Sequence, residues 1–110
     1  MKTLKNPVFR KVMEFSTAHI SQRDSKILEK MAKGWDGMYY DPNLIVVEYD
    51  YGYIVWVPPV YPGEKNMEEQ IEGFSEQFKE IISIARSFKC EQICFDCDGR
   101  EYEELKKFDW

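Results

Sequence analysis

Apolar and polar positions alternate along Val12–Ile20, "VMEFSTAHI", with Val12, Glu14 and Ser16 on one side and Met13, Phe15 and Thr17 on the other. A period of two marks a strand, so a short first strand is expected here. The period then lengthens. Ile20, Ile27, Leu28, Met31 and Trp35 recur at helical spacing, Ser21 offers an N-cap hydroxyl with Asp24 three residues on, and Gly34 can end the helix. Leu44–Pro59, "LIVVEYDYGYIVWVPP", is β-rich on both sides of Asp50-Tyr51-Gly52 and closes on two prolines, the pattern of a hairpin. The longest amphipathic run follows. Met67, Ile71, Phe74, Phe78, Ile81, Ala85 and Phe88 alternate spacings of four and three, with Ile82 widening the stripe. They predict a helix from about Glu64 to Phe88, about 35 Å long at 1.5 Å per residue. A final strand near Glu91–Phe95 leads into a turn at Asp98-Gly99 and a charged tail ending "KKFDW".

The order β-α-β-β-α-β, with right-handed crossovers and a central hairpin, points to an α+β fold. The leading expectation is a ferredoxin-like two-layer sandwich, or a related mixed sheet with another strand order, with both helices on one face. The predicted long helix exceeds a typical strand of about 17–20 Å. Its overhang could help form a homodimer. A length of 110 residues suits one domain, 1–110, that buries a core without disulfides or a structural metal. Residues 1–7, "MKTLKNP", are expected to be loose, since Pro7 disfavours an early helix.

Three cysteines make an odd count, and no secretory segment is evident, so a disulfide framework is not expected. No apolar run approaches the roughly 18 residues of a membrane span. The expected setting is cytoplasmic, away from the membrane. Charge is unevenly spread: residues 1–34 carry eight Lys/Arg against three Asp/Glu, and residues 35–110 carry seven against seventeen. Two differently charged solvated faces account for this most simply. The functional alternative is an acidic surface for a basic protein or nucleoprotein partner. Direct DNA binding is disfavoured, because phosphate neutralisation needs a basic patch.

"KCEQICFDCDGREY", residues 89–102, holds the conspicuous chemistry. Cys90, Cys94 and Cys97 have the C-x3-C-x2-C spacing of a radical-enzyme iron–sulfur site. A strand through "QICF" would turn Cys94 away from Ile93 and Phe95, against the loop such a cluster needs. Asp96 and Asp98 have the spacing of a strand-end pair that could hold Mg²⁺ and supply a nucleophile. The same D-x-D-G is also a good turn, and only Arg100, Lys106 and Lys107 follow to stabilise a phosphoryl group. The turn reading is the stronger, and no cofactor is expected. His19, the single histidine, would act as a base or ligand only with a partner. A structural role, bonded to the helix N-terminus or packed beside Trp35, is preferred. In a ferredoxin-like sheet His19 and Asp96 would lie at opposite ends; only parallel pairing of the first and last strands would bring them together. Tyr49, Tyr51, Tyr53 and Trp56 are too many large rings to be buried in one hairpin, and a surface patch of them would suit a protein interface.

"FSTAHIS" at 15–21, "YGY" at 51–53 and "ARSFKCEQICFDCDG" at 85–99, with the final Asp109-Trp110, together resemble an uncharacterised bacterial and phage family, domain of unknown function 5983. Its pattern is similar to (I/V)STAHI, then YGW, then AR-x-x-G-C-x-x-(I/V)-x-F-D-x-D-G, then DW. Ser16, Thr17, His19, Asp96, Asp98, Gly99 and Trp110 carry the resemblance. Lys89 stands where that pattern has Gly, Tyr53 where Trp is common, and "EYEELKKFDW" lacks the usual Gly-Leu-Pro turn. Cys94 and Cys97 lie outside the pattern. The resemblance implies carriage on plasmids, integrative elements or phages, sometimes near antirestriction genes. The expected function is therefore a small acidic, non-enzymatic binding protein that inhibits a host defence complex, of anti-CRISPR or antirestriction kind. It would act through Glu68, Glu69, Glu72 and Glu76 and the hairpin aromatics. The alternatives are a metal-dependent hydrolase or nuclease using Asp96 and Asp98, and a homodimeric scaffold.

Overall fold

The computed structural model describes residues 1–33, 44–58 and 71–110. β1 (Val12–Ser16) runs into a single 3-10 turn at Thr17–His19, followed by α1 (Gln22–Lys33), β2 (Val46–Tyr49), β3 (Gly52–Trp56), α2 (Glu76–Ser87) and β4 (Gln92–Asp96). The first strand stops four residues short of the alternation in the sequence. The Ser16 hydroxyl accepts the Ala18 N–H at 3.0 Å and Thr17 O accepts the Ile20 N–H at 3.0 Å, which curls the chain out of the sheet. Ser21 caps α1 as expected, its hydroxyl accepting the Asp24 N–H at 3.0 Å.

The second helix is shorter than predicted. Residues 64–70 lie outside the described residues; Ile71–Phe74 form a turn closed by Phe74 N–H on Ile71 O at 3.0 Å. Ser75 then starts the helix as N-cap, its hydroxyl accepting from Phe78 N–H. Gly73 and Ser75 lie before the first helical residue, and Ile71 and Phe74 stay buried, so apolar positions of the predicted stripe pack from a turn. Twelve residues give about 18 Å, the length of a strand. The described part therefore has no overhang on which to base a dimer. α2 ends in a Schellman closure: Cys90 N–H bonds Ala85 O and Lys89 N–H bonds Arg86 O, both at 2.9 Å, with Lys89 at φ 59°.

The four strands form one mixed sheet in the order β1-β4-β3-β2. β2 and β3 are the expected hairpin, β3 pairs β4 antiparallel, and β1 pairs β4 in parallel. The strand order is thus that of the mixed-sheet alternative and not the ferredoxin-like one, in which the first and last strands run antiparallel. The most apolar strand takes an interior place: Ile93 and Phe95 of β4 are fully buried between Phe15 of β1 and Tyr53 and Val55 of β3. These residues share one face, as a period of two requires. Both helices contact that face. Phe78 of α2 stacks on Phe95 at 5.9 Å between centroids, and Ser25 of α1 lies 3.2 Å from the Tyr53 hydroxyl. The opposite face carries Val12, Glu14, Val47, Ile54, Trp56 and Cys94, all exposed or half-buried. No helix among the described residues crosses a membrane: none is long and apolar enough.

Candidate functional site

Parallel pairing puts Ser16 beside Asp96 in register, so both strands release their loops at the same end of the sheet. Across the sheet the row continues through Gly52 to Tyr49. A Cβ at Gly52 would fall 1.8 Å from Phe95 O, so only glycine allows β3 and β4 to approach here. With no side chain at Gly52, the Tyr49 phenol reaches over β3 and donates to Asp96 Oδ2 at 2.6 Å, with Cys94 Sγ at 3.3 Å. Burial and the bond to Asp96 raise the Tyr49 phenol above its usual range. The same hydrogen bond, helped by the Asp98 N–H, holds the Asp96 carboxyl below its ordinary value.

Asp96 is thus the pivot of a turn. Oδ1 accepts the Asp98 N–H at 2.8 Å and its carbonyl accepts the Gly99 N–H at 2.8 Å. A Cβ on Gly99 would meet Phe15 O at 2.5 Å, so the turn can lie against β1 only with glycine there. The Asp-x-Asp-Gly segment is a turn, as the sequence suggested.

His19 is fully buried, and both ring nitrogens bond backbone. Nδ1 lies 2.9 Å from Lys106 O and Nε2 accepts the Tyr102 N–H at 2.8 Å, a pairing met by the neutral ring with its proton on Nδ1. Both bonds are to backbone, but the partners differ from those expected. His19 bonds the tail, not the helix N-terminus, and Trp35 lies outside the described residues. His19 and Asp96 do come to one end of the sheet, yet the imidazole is turned away into these two bonds.

The tail lies across the same end. Phe108 N–H bonds Ala18 O at 2.7 Å and the Trp110 indole N–H bonds Ile20 O at 2.9 Å. Between tail, 3-10 turn and Asp-x-Asp-Gly turn is an open cleft of about 490 Å³. Ser16 and Thr17 line one side, Asp98 and Gly99 another, Asp109 and Trp110 a third, with Cys97, Glu101 and Phe108 between. Asp98, Glu101 and Asp109 are all exposed, and no salt bridge among the described residues involves them.

The matching family model is "Family of unknown function (DUF5983) C-terminal domain", over residues 12–110. The chain belongs to the DUF5983 family. No curated protein and no solved structure matches it. Three of the four segments that carried the resemblance in the DUF5983 chain meet in the cleft, Ser16–Ala18, Cys97–Gly99 and Asp109–Trp110, the first of them far in sequence from the other two.

The other candidates are more scattered. Ligand atoms of Asp96, Cys97 and Asp98 lie within 4.8 Å of one another, a group among the described residues that could offer three ligands to one cation. Cys90 is buried in the core, Cys94 is half-buried on the open sheet face and Cys97 is exposed in the turn, so the three thiols face different surroundings. Glu72 and Glu76 are exposed; Glu68 and Glu69 lie outside the described residues. Of the hairpin rings, Tyr51 is exposed and packs edge-on against Tyr49 at 6.1 Å, and Trp56 is half-buried. Tyr53 is not a surface residue: it is buried on the core face, its hydroxyl donating to Ser25 O at 3.3 Å. Sequence reasoning missed Ser75, the close approach of β4 at Gly52, and Tyr102. The first two had local signals, a cap residue after a glycine and a glycine in a β-rich run.

Proposed function

We propose that this DUF5983 domain is a non-enzymatic binding protein whose cleft receives a basic segment of a protein or nucleoprotein partner. One observation carries the reading. The cleft presents Asp98, Glu101 and Asp109 outward beside Phe108 and Trp110, while the groups behind it that could do chemistry are committed internally: His19 through both nitrogens and Asp96 through both carboxylate oxygens. Exposed carboxylates beside aromatic rings suit lysine or arginine side chains, which bring both charge and an apolar stem. Glu72 and Glu76, also exposed, are further acidic groups for such a partner. The finer form of this reading, suggested by the family resemblance, is an inhibitor carried by a mobile element that occupies the nucleic-acid channel of a host defence complex.

A pull-down with the tagged chain from host extract, with and without nuclease, tests it. The expected result is recovery of a basic protein that survives nuclease and is lost with Asp98→Lys/Asp109→Lys. Retention of the same partner by that variant would refute the cleft as the binding site.

The close approach of Asp96, Cys97 and Asp98 supports a second reading, a metal-dependent hydrolase or nuclease. It requires Mg²⁺ or Mn²⁺ binding at millimolar concentration or tighter, lost in Asp98→Ala. A flat calorimetric titration removes it.

A further inference from the structure

Residues 100–110 contain no strand or helix, and none of the eleven is buried. Only Tyr102, Leu105 and Phe108, spaced by three, are even half-buried against the body of the protein. The segment has no core of its own. It is held by hydrogen bonds to one short stretch, residues 14–20: Arg100 O accepts Ser16 N–H at 2.8 Å, the Tyr102 hydroxyl donates to Glu14 O at 3.1 Å, and Phe108 N–H and the Trp110 indole reach Ala18 O and Ile20 O. At the centre of this set the buried His19 ring bonds two strap residues four apart in sequence.

Such a segment, packed on the core only through the partly buried Tyr102 and Leu105 and hydrogen-bonded to one stretch, belongs to the low-stability end of a fold and opens without the rest. It also supplies Glu101, Phe108, Asp109 and Trp110 to the cleft, while the strand ends supply Ser16, Thr17, Asp98 and Gly99. The walls contributed by the strap are therefore present only when it is closed.

We infer that residues 100–110 are a strap that opens as a unit, that His19 is the positioning residue latching it, and that cleft occupancy is coupled to its closure. The coupling rests on the binding role proposed above; the strap and latch do not. A ligand that touches both halves of the cleft binds the closed form better, so it shifts the population toward closure.

Native-state hydrogen exchange on the full chain tests this. The Tyr102 and Phe108 amides should exchange through a shared opening at least about tenfold faster than the Ile82 and Phe95 amides, which open only globally. His19→Ala removes two hydrogen bonds and should speed strap exchange by roughly 10- to 100-fold relative to the core. Should that variant fail to fold, Trp110→Phe removes only the indole donor and should speed Phe108 exchange while leaving Phe95 unchanged. Equal protection of strap and core, or a uniform rise in either variant, overturns the strap. With an oligo-arginine peptide as probe, wild-type strap amides should gain protection. Peptide binding that leaves strap exchange unchanged overturns the coupling and spares the binding role. Absence of peptide binding overturns the binding role and the coupling together, leaving the strap to the exchange data of the free protein.

Discussion

Lys89 occupies the position after the α2 C-cap at φ 59°, in the left-handed region that favours glycine. The two hydrogen bonds of the Schellman closure, Cys90 N–H to Ala85 O and Lys89 N–H to Arg86 O, require that conformation. A residue with a Cβ held there costs roughly 1–2 kcal/mol. Glycine avoids this cost but gives back about 0.5–1 kcal/mol through its freer unfolded chain. Lys89→Gly should therefore stabilise the protein by about 0.5–1 kcal/mol. For a chain of this size that is a rise in Tm of about 3–6 °C. Lys89→Ala is the control, because it removes the long side chain and keeps the Cβ. Thermal and urea unfolding of the three proteins separates backbone from side chain. A Lys89→Gly protein no more stable than Lys89→Ala would show that the left-handed residue is not strained here, and would refute the reasoning.

Asp24, 1% exposed in the first turn of α1, accepts both the N–H of Ser75 at 3.0 Å and its hydroxyl; Asp24→Ala should cost about 2–4 kcal/mol in urea unfolding. Its double-mutant cycle with Ser75→Ala should show coupling of at least about 1 kcal/mol, and additivity would deny the link between the helices. Gly52→Ala should be severely destabilised, by roughly 3 kcal/mol or more, since its Cβ would overlap Phe95 O, whereas Gly73→Ala, with nothing within 4 Å of its Cβ, should be neutral or slightly stabilising; equal behaviour in thermal melts would contradict the geometry. Tyr49→Phe removes the phenol that holds the Asp96 carboxyl low. Because the folded-state value is depressed, that contribution is present above the ordinary aspartate range near pH 4 and is lost as pH falls through the folded value. The variant should accordingly lose less stability than wild type on acidification, and Asp96 should titrate nearer its ordinary value by NMR. An unchanged Asp96 titration would rule the bond out as the cause.

How far the sequence was legible depended on the reach of each interaction. The hairpin was readable because β-branched runs flank a two-residue turn, and α1 because its cap, Ser21, lies three residues from the amide it satisfies. The start of α2 was written in Gly73 and Ser75. It was masked because Ile71 and Phe74 keep the spacing of a helix while packing from a turn. The direction of β1 against β4 was not readable. A period of two places Phe15 and Phe95 on the core face whether the strands run parallel or antiparallel, so local pattern cannot choose between them. The duties of His19 and Asp24 were invisible for the same reason. Their partners lie 83 and 87 residues away in one case and 51 in the other.

That parallel pairing changes what the family-like segments mean. Taken singly, Ser-Thr-Ala-His and Asp-x-Asp-Gly each resemble fragments of an active site, one with a base and the other with a carboxylate pair. Once β1 and β4 run side by side, the segments leave the sheet together, and their polar atoms have definite tasks. Ser16 turns the chain, Asp96 closes the turn beneath Tyr49, and Gly99 lets that turn lie on Phe15. His19 meanwhile latches the strap. These contacts fix where Asp98, Glu101 and Asp109 stand without using their carboxylates for ion pairs among the described residues. A substitution in the buried set should therefore disturb folding and strap closure, and one at the outer carboxylates should leave the fold intact. This separation makes the cleft's role testable, because surface variants can lose binding in a protein that still melts like wild type.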